Sequence, residues 1–343
     1  MNDARGSRAS MRAVADRAGV AMSSVSRVLS GHPDVSPAMS ARVMAAVAEL
    51  DYQPDLLAQS LRRRETLTVG FVVGDISNPL FAEIVTGVES TLQANGYSML
   101  LTNSLGDPLL EAAHIGLLTQ RRVDGIVISV LDETHPATIA RLEKLAIPIV
   151  VLDRNLPAGI AASRVLSDHR GGMKAAALHL LDLGHRRITL IGGRGVRPAL
   201  ERRAGLEEAF AMRGLPPTYS IIEGSFAVAQ GAAEMRRVLE QPERPTAVIA
   251  GGNQLMLGAL QVVAERGLTL GRDLSFVGCD DVAVTDLFQP AVAVVRRDTV
   301  EMGRAAAELL LARMRGDAGP TDVVLPTEFV ERLSCGPLRR EER

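Results

Sequence analysis

The chain has 343 residues, a formal net charge of −2 and 47% hydrophobic residues, so it is too long for one ordinary core and predicts two or three domains. No run of 18 or more uncharged apolar residues exists, which excludes a membrane-spanning helix, and no apolar stretch follows the arginines between Met1 and Ser10, which argues against a secretory signal. Cys279 and Cys335 lie far apart without CxxC spacing, which argues against a zinc site or disulfide framework and fits a reducing cytoplasm.

Residues 1–64 hold nine Arg against six Asp or Glu, giving +3 and leaving −5 for the remainder. A basic head on an acidic body is compatible with nucleic-acid contact through the head, without demanding it. Residues 11–29 read MRAVADRAGVAMSSVSRVL. Ser10 is placed to cap a helix through Asp16 and Arg17, and Ala18-Gly19-Val20 supplies a tight turn in which glycine makes positive φ cheap. A second helix from Ser23 to Leu29 buries Val25, Val28 and Leu29, while Met22, Ser23, Ser26 and Arg27 point elsewhere. A third, Pro37–Leu50, closes a small core with Val43, Val47 and Leu50. Two short helices joined by such a turn predict a helix-turn-helix whose second helix enters a major groove. Arg27 could donate twice to a guanine, with Ser23 or Ser26 meeting phosphate or base edges. A three-helix cap with ordinary surface arginines is the alternative. The segment Asp51–Glu65 is the plausible linker: Pro54, a short conditional helix, then Arg62-Arg63-Arg64.

From Leu67, β-rich runs alternate with helix-length segments. The predicted order is strand Leu67–Gly74, helix Pro79–Asn95, strand Tyr97–Thr102, helix Leu109–Arg121, strand Gly125–Val130, helix Pro136–Leu145 and strand Ile147–Leu152. After Asp168 the pattern restarts: helix Gly171–Leu183, strand Arg187–Gly192, helix Ala199–Arg213, strand Ser220–Glu223, helix Val228–Leu239, strand Thr246–Ala250, helix Gln254–Arg266 and strand Leu274–Gly278. Helix Thr299–Arg315 and one strand, Asp322–Val330, then cross back to complete both lobes. The strands are continuous apolar runs, as expected where helices cover both faces of a sheet. The fold class is thus an α-helical helix-turn-helix head plus an α/β body of two doubly wound lobes, with a ligand between them at the carboxyl ends of the strands.

Other signals carry less. Gly193-Arg194-Gly195 lacks the third glycine of a dinucleotide loop, since Pro198 stands there. Asp280 and Asp281 are adjacent in an extended segment, so their carboxylates diverge. The six histidines show no HxH or HExxH spacing, and His179 and His185 read as structural. No GxSxG elbow appears. No cofactor and no metal are expected, and no catalytic residues.

The stretches VADRAGVAMSSVSRVLSG and VSPAMSARVMAAVAELDYQPDLLAQSLRR resemble the head and hinge of the lactose- and galactose-repressor (LacI/GalR) family. The resemblance continues through VGFVVGDISNPLFAEIVTGVE, RRVDGIVIS, LLDLGHRRITLIGG and VGCDDVAVTDLFQP. It implies a homodimer on a palindromic DNA operator, with paired hinge helices opening the central minor groove. It places Met22, Ser23, Ser24, Ser26, Arg27, Ser36, Tyr52, Ala58, Leu61 and Arg62 at the DNA, Leu61 being the apolar wedge between central base pairs. Three residues depart from the family pattern. Ala21 stands in place of a capping serine, a duty Ser23 would take over; Met39 replaces a threonine; Asp55 replaces an asparagine near the DNA backbone.

The body resembles periplasmic sugar-binding proteins, which close on a ligand by a hinge. The resemblance implies effector contacts from Ser77, Asn78, Phe81, Asp153 and Arg154 in the first lobe, and from Arg202, Phe226, Asn253, Gln254 and Asp280 in the second. Arginine suits hydroxyls or a carboxylate, Asp280 can accept from sugar hydroxyls, and Phe226 can stack on a ring. For single residues, turn-forming, helix-capping and surface ion-pair roles compete with this. His169 and Gln254 replace an asparagine and an aspartate, pointing toward an anionic effector such as a sugar acid.

The expected organisation is residues 1–50 as DNA-binding head, 51–65 as hinge and 66–343 as body. The first lobe is about 66–166 plus 296–320, the second about 167–295 plus 321–335. The expected function is a cytoplasmic, sequence-specific transcriptional regulator, most simply a repressor, controlled by a sugar or sugar acid. Two other classes compete: a binding protein with no DNA function, and an enzyme using the interlobe cleft, for which no constellation is found.

Overall fold

Ser10 and Gly19 set the limits of the first helix. Ser10 Oγ accepts from Ala13 N at 3.2 Å, and Gly19 takes φ 62°, the left-handed turn that ends α1 (Met11–Ala18). After this turn comes α2 (Met22–Leu29). Ser36 Oγ then accepts from Met39 N at 3.3 Å, and Pro37 occupies the first turn of α3 (Pro37–Glu49). The three helices close on Val14, Ala15, Ala18, Val25, Val43, Ala46 and Tyr52, with Val28, Leu29, Val47 and Leu50 partly buried around them. The computed structural model describes residues 9–29, 32–52, 65–319 and 321–338. The chain divides into two units, Met1–Thr66 and Leu67–Arg343.

In the second unit, apolar runs form buried strands. The first lobe contains β1 (Thr68–Val73), α4 (Pro79–Ala94), β2 (Ser98–Asn103), α5 (Pro108–Gln120), β3 (Gly125–Ile128), α6 (Pro136–Leu142), β4 (Ile149–Leu152) and β5 (Ser163–Ser167). The second contains α7 (His169–Asp182), β6 (Ile188–Ile191), α8 (Arg197–Met212), β7 (Ser220–Ile222), α9 (Val228–Leu239), β8 (Ala247–Ala250), α10 (Asn253–Glu265), β9 (Ser275–Cys279), α11 (Ala283–Leu287) and β10 (Ala293–Arg297). The chain then returns through α12 (Thr299–Met314), β11 (Asp322–Leu325) and β12 (Thr327–Val330).

The six-stranded sheets run β11-β5-β4-β3-β1-β2 and β12-β10-β9-β8-β6-β7. All pairings are parallel except β10 with β12. Strands β1, β3, β4, β6, β8 and β9 are buried nearly throughout, which is why they read as unbroken apolar runs. In the first lobe α12 crosses α4 at two glycines. A Cβ on Gly87 would stand 2.1 Å from Val300 O, and one on Gly303 would stand 2.1 Å from Ile84 O. Only hydrogen side chains permit that approach.

The structure adds three elements that the sequence pattern missed: β5, α11 and β10. Strand β5 (SRVLS) buries Ser163 and Ser167 at its ends, and β10 (AVVRR) ends in two arginines. Both therefore lack the apolar run that marked the other strands. The expected strand Asp322–Val330 is two strands. Pro326, which has no N–H to offer a ladder, separates β11 in the first sheet from β12 in the second. The allocation of 321–335 to the second lobe is corrected accordingly: Asp322–Leu325 pairs with β5 of the first.

Candidate functional site

In the head, α2 leaves Met22 (47% exposed), Ser23 and Arg27 at the surface, with Ser24 and Ser26 half-buried. These residues lie within two turns of one helix, so a single element positions them. Ser23 does not cap α2. It is the second residue of that helix, and Ala21 O accepts from Ser24 N and Val25 N at 2.9 and 3.2 Å. Ser36 is exposed, with its hydroxyl engaged in capping α3. Tyr52 is buried in the head's core beside Val43 and Ala46, where its ring supplies packing. Ala58, Leu61 and Arg62 lie outside the described residues.

In the body, a cavity of about 520 Å³ opens between the two sheets, at the carboxyl ends of their strands. All ten residues expected to contact an effector line it: Ser77, Asn78, Phe81, Asp153 and Arg154 from the first lobe, and Arg202, Phe226, Asn253, Gln254 and Asp280 from the second. Asn78 both caps α4, accepting from Leu80 N at 3.1 Å, and accepts from Asn253 Nδ2 across the cleft at 2.6 Å. Capping and lining are thus one role. Arg202 is no surface ion pair; it is buried and donates to Gly251 O at 2.6 Å. The Phe226 ring lies over Gly193, where a Cβ would come within 2.0 Å of it. That glycine makes room for an aromatic wall rather than for a phosphate.

Asp153 follows β4 and Asp280 follows β9, and both take left-handed backbone, φ 50° and 72°. Non-glycine residues adopt this region at a cost that surrounding contacts must offset. Those contacts converge on one residue that sequence reasoning missed. Arg297 Nε donates to Asp280 Oδ1 at 2.7 Å, and another guanidinium nitrogen donates to Asp153 Oδ2. Asp153 also accepts from Ser167 N at 2.6 Å and Ser167 Oγ at 3.1 Å, with Arg197 3.5 Å away and His169 Nε2 3.1 Å away. The available signal was strand alternation at the end of β10: Arg296 turns outward to Glu328 at 2.6 Å, and Arg297 inward.

The buried charges hold one another. Burial opposes ionisation of Asp153, but Arg297 and the Ser167 N–H beside it keep its carboxyl well below the usual range. Burial likewise opposes charge on Asp280, which Arg297 and Arg202 keep ionised. Burial opposes the Arg297 charge too, and the two aspartates more than restore it. His169 is different: burial pushes it down to about 4, so its ring is neutral at pH 7. Glu111, fully buried on α5, is another residue the sequence did not flag. It accepts from Thr138 Oγ1 and Leu131 N, both at 2.9 Å, and so fixes the loop where Leu131 and Asp132 line the cavity. Burial raises its carboxyl.

A helix-turn-helix head on a body of two α/β lobes around a cavity defines a class, regulators that couple a DNA-reading module to a binding-protein-like core. Residues 10–55 match the model for bacterial regulatory proteins of the lacI family, and residues 177–335 match a periplasmic binding protein-like domain. A ribose operon repressor of Haemophilus influenzae is 33% identical over 90% of this chain and 92% of its own length. The transcriptional repressor PurR of Erwinia tasmaniensis is 33% identical over 98% of this chain and its full length. Among solved structures, the lac repressor dimer bound to operator and the anti-inducer ONPF superposes with a TM-score of 0.84. It is 27% identical, over 95% of this chain and 98% of that one. The chain belongs to the lacI family: it is a DNA-binding transcriptional repressor and not an enzyme. No helix among its described residues is long and apolar enough to cross a membrane.

Proposed function

We propose that this repressor binds a palindromic operator as a homodimer in the cytoplasm, and that a sugar or sugar acid in the interlobe cavity controls its grip. The observation that carries the effector reading is the convergence of ten polar and aromatic residues from both lobes on one cavity of about 520 Å³, within the ordinary size of small-ligand sites. A ligand touching both lobes favours one separation of the sheets over another. Because affinity for the two arrangements differs, binding shifts their populations. The hinge at 51–65 would pass that shift to the head.

For DNA, α2 would enter the major groove with Met22 and Ser23 at its start and Arg27 one turn on. Arg27 suits the paired acceptors of guanine. The dimer reading draws support from leucines exposed on one side of the first lobe. Leu100 and Leu101 stand on the edge strand β2, Leu105 follows it, and Leu109 and Leu117 lie on α5. A strip of this kind is ordinarily covered by a partner.

Selection of bound duplexes from random DNA at moderate salt, with and without a pool of sugars and sugar acids, tests the whole reading. The expected result is a palindrome whose enrichment changes when the pool is added. Arg27→Ala should then relax base preference while leaving non-specific, salt-sensitive binding nearly intact. Recovery of no motif under either condition would refute the operator reading.

A further inference from the structure

The two lobes are tied together at a point outside the cavity. Glu133, in the loop after β3 of the first lobe, accepts through Oε1 from Arg197 N at 3.0 Å, and Arg197 is the first residue of α8 in the second lobe. The same oxygen accepts from Asn155 N of its own lobe at 3.1 Å. We propose that Glu133 is an interlobe clasp: it caps α8 from the opposite lobe, and so biases the repressor toward the arrangement in which the lobes stand together.

The first reason is that α8 has no cap of its own. Helices α4, α5, α7 and α12 are capped by Asn78, Asp107, Asp168 and Asp298, each the residue before the helix. The residue before α8 is Val196, whose side chain has no acceptor. An N–H at a helix start needs a partner, and a carboxylate there also meets the positive end of the helix dipole. For α8 that partner is lost when the lobes part.

The second reason is that Glu133 is held from its own side. Val130 O accepts from Arg154 Nε at 2.8 Å, Leu131 N donates to the buried Glu111 at 2.9 Å, and Asp132 Oδ1 accepts from Thr134 N at 2.9 Å. With the bond from Asn155 N, these contacts lie within the first lobe and fix the loop whatever the second lobe does. Glu133 is the fixed post, and Arg197 N is what moves. The Arg197 guanidinium does not share this duty. It donates to Ser167 O at 3.1 Å, and Ser167 ends β5 just before the chain crosses into the second lobe. A bond beside the crossing changes little as the lobes pivot there. Glu133 and Arg197 do not line the cavity, but Leu131 and Asp132 beside the one, and Val196 and Pro198 beside the other, do. A ligand and the clasp thus bear on the same two segments without sharing a contact.

The inference rests on the reading that the lobes move, and its test needs no ligand. Pulsed dipolar spectroscopy would measure the separation of spin labels at Lys144→Cys in the first lobe and Gln241→Cys in the second, both exposed and beyond helices that lead away from the cavity. The full chain would carry Cys335→Ser, leaving only the buried Cys279. Dilution with unlabelled chain restricts the reading to distances within one copy. Glu133→Ala should raise the ratio of long to short separations about fivefold, the ordinary worth of a lost helix cap. Glu133→Gln keeps an acceptor and loses the charge, so it should raise the ratio about twofold. The same order should appear in the change of affinity for the duplex recovered by selection. Separations unchanged by Glu133→Ala would overturn the clasp and leave the effector reading standing. Separations that shift while duplex affinity stays constant would uphold the clasp and break the reading that lobe arrangement controls the grip on DNA.

Discussion

The head and the body build their sites in opposite ways. In the head, the exposed residues of α2 fall within eight consecutive positions, and one helix aims them all. In the body, the ionic centre joins Asp153, Asp280 and Arg297, which lie up to 144 residues apart and come from the end of β4 in one sheet and the ends of β9 and β10 in the other. The head can therefore accept single substitutions on a surface whose core lies beneath. The body cannot change Asp153 or Arg297 without disturbing the packing of both lobes. The contrast also separates their stabilities. The head rests on seven buried residues, whereas the body has four clusters of ten or more.

The largest test of this contrast is Asp153→Ala. It would leave Arg297 and Arg197 around an empty acceptor, and removing one partner of a buried pair costs about 3–5 kcal/mol. Urea unfolding followed separately in head and body should show the whole loss in the body. A loss below about 1 kcal/mol would mean that water already reaches the pair.

Acid titration comes next. Burial pushes the His169 pKa down from the ordinary 6.5 to about 4. Between those values the unfolded chain binds the extra proton, so stability is full above pH 6.5 and falls as pH drops toward 4, by about 3 kcal/mol at most. His169→Asn should flatten that slope in the body's melting curve. His185, also lowered by burial, should leave a residue of it. An unchanged slope would place the sensitivity elsewhere.

Val25→Ala acts on the other side of the comparison. Val25 is fully buried in the head, and removing two methyl groups from so small a core costs about 2 kcal/mol. Head unfolding should shift while the body's transition stays put, and operator binding should weaken with it. The smallest effect is that of Ser36→Ala, which removes the cap of α3 at about 1 kcal/mol. It should move head stability alone; a larger loss of DNA affinity than of stability would give Ser36 a direct contact.

Much of the body was legible because parallel strands covered on both faces must be apolar on both, and β1, β3, β4, β6, β8 and β9 are. The strands that escaped, β5 and β10, are those whose ends serve the cavity. Ser167 donates to Asp153 and Arg297 bridges both aspartates, so polar residues stand where periodicity expects hydrocarbon. The capping duty expected of Ser23 failed for a related reason: spacing left the start of α2 open, and packing set it at Met22, one residue earlier. Packing likewise settled that the Tyr52 ring is buried in the head's core.

The sequence by itself determined the helix-turn-helix, two successive αβ series and the polar residues at the strand ends. Each of these is written in spacing along a few neighbouring residues or in a motif. Only the tertiary structure decided that Arg297 lies between Asp153 and Asp280, that His169 is neutral and buried, and that Arg202 has a guanidinium nitrogen with no partner. Those facts are balances of burial against charge, and they arise only when strands from two sheets bring distant ionisable groups into one dry space.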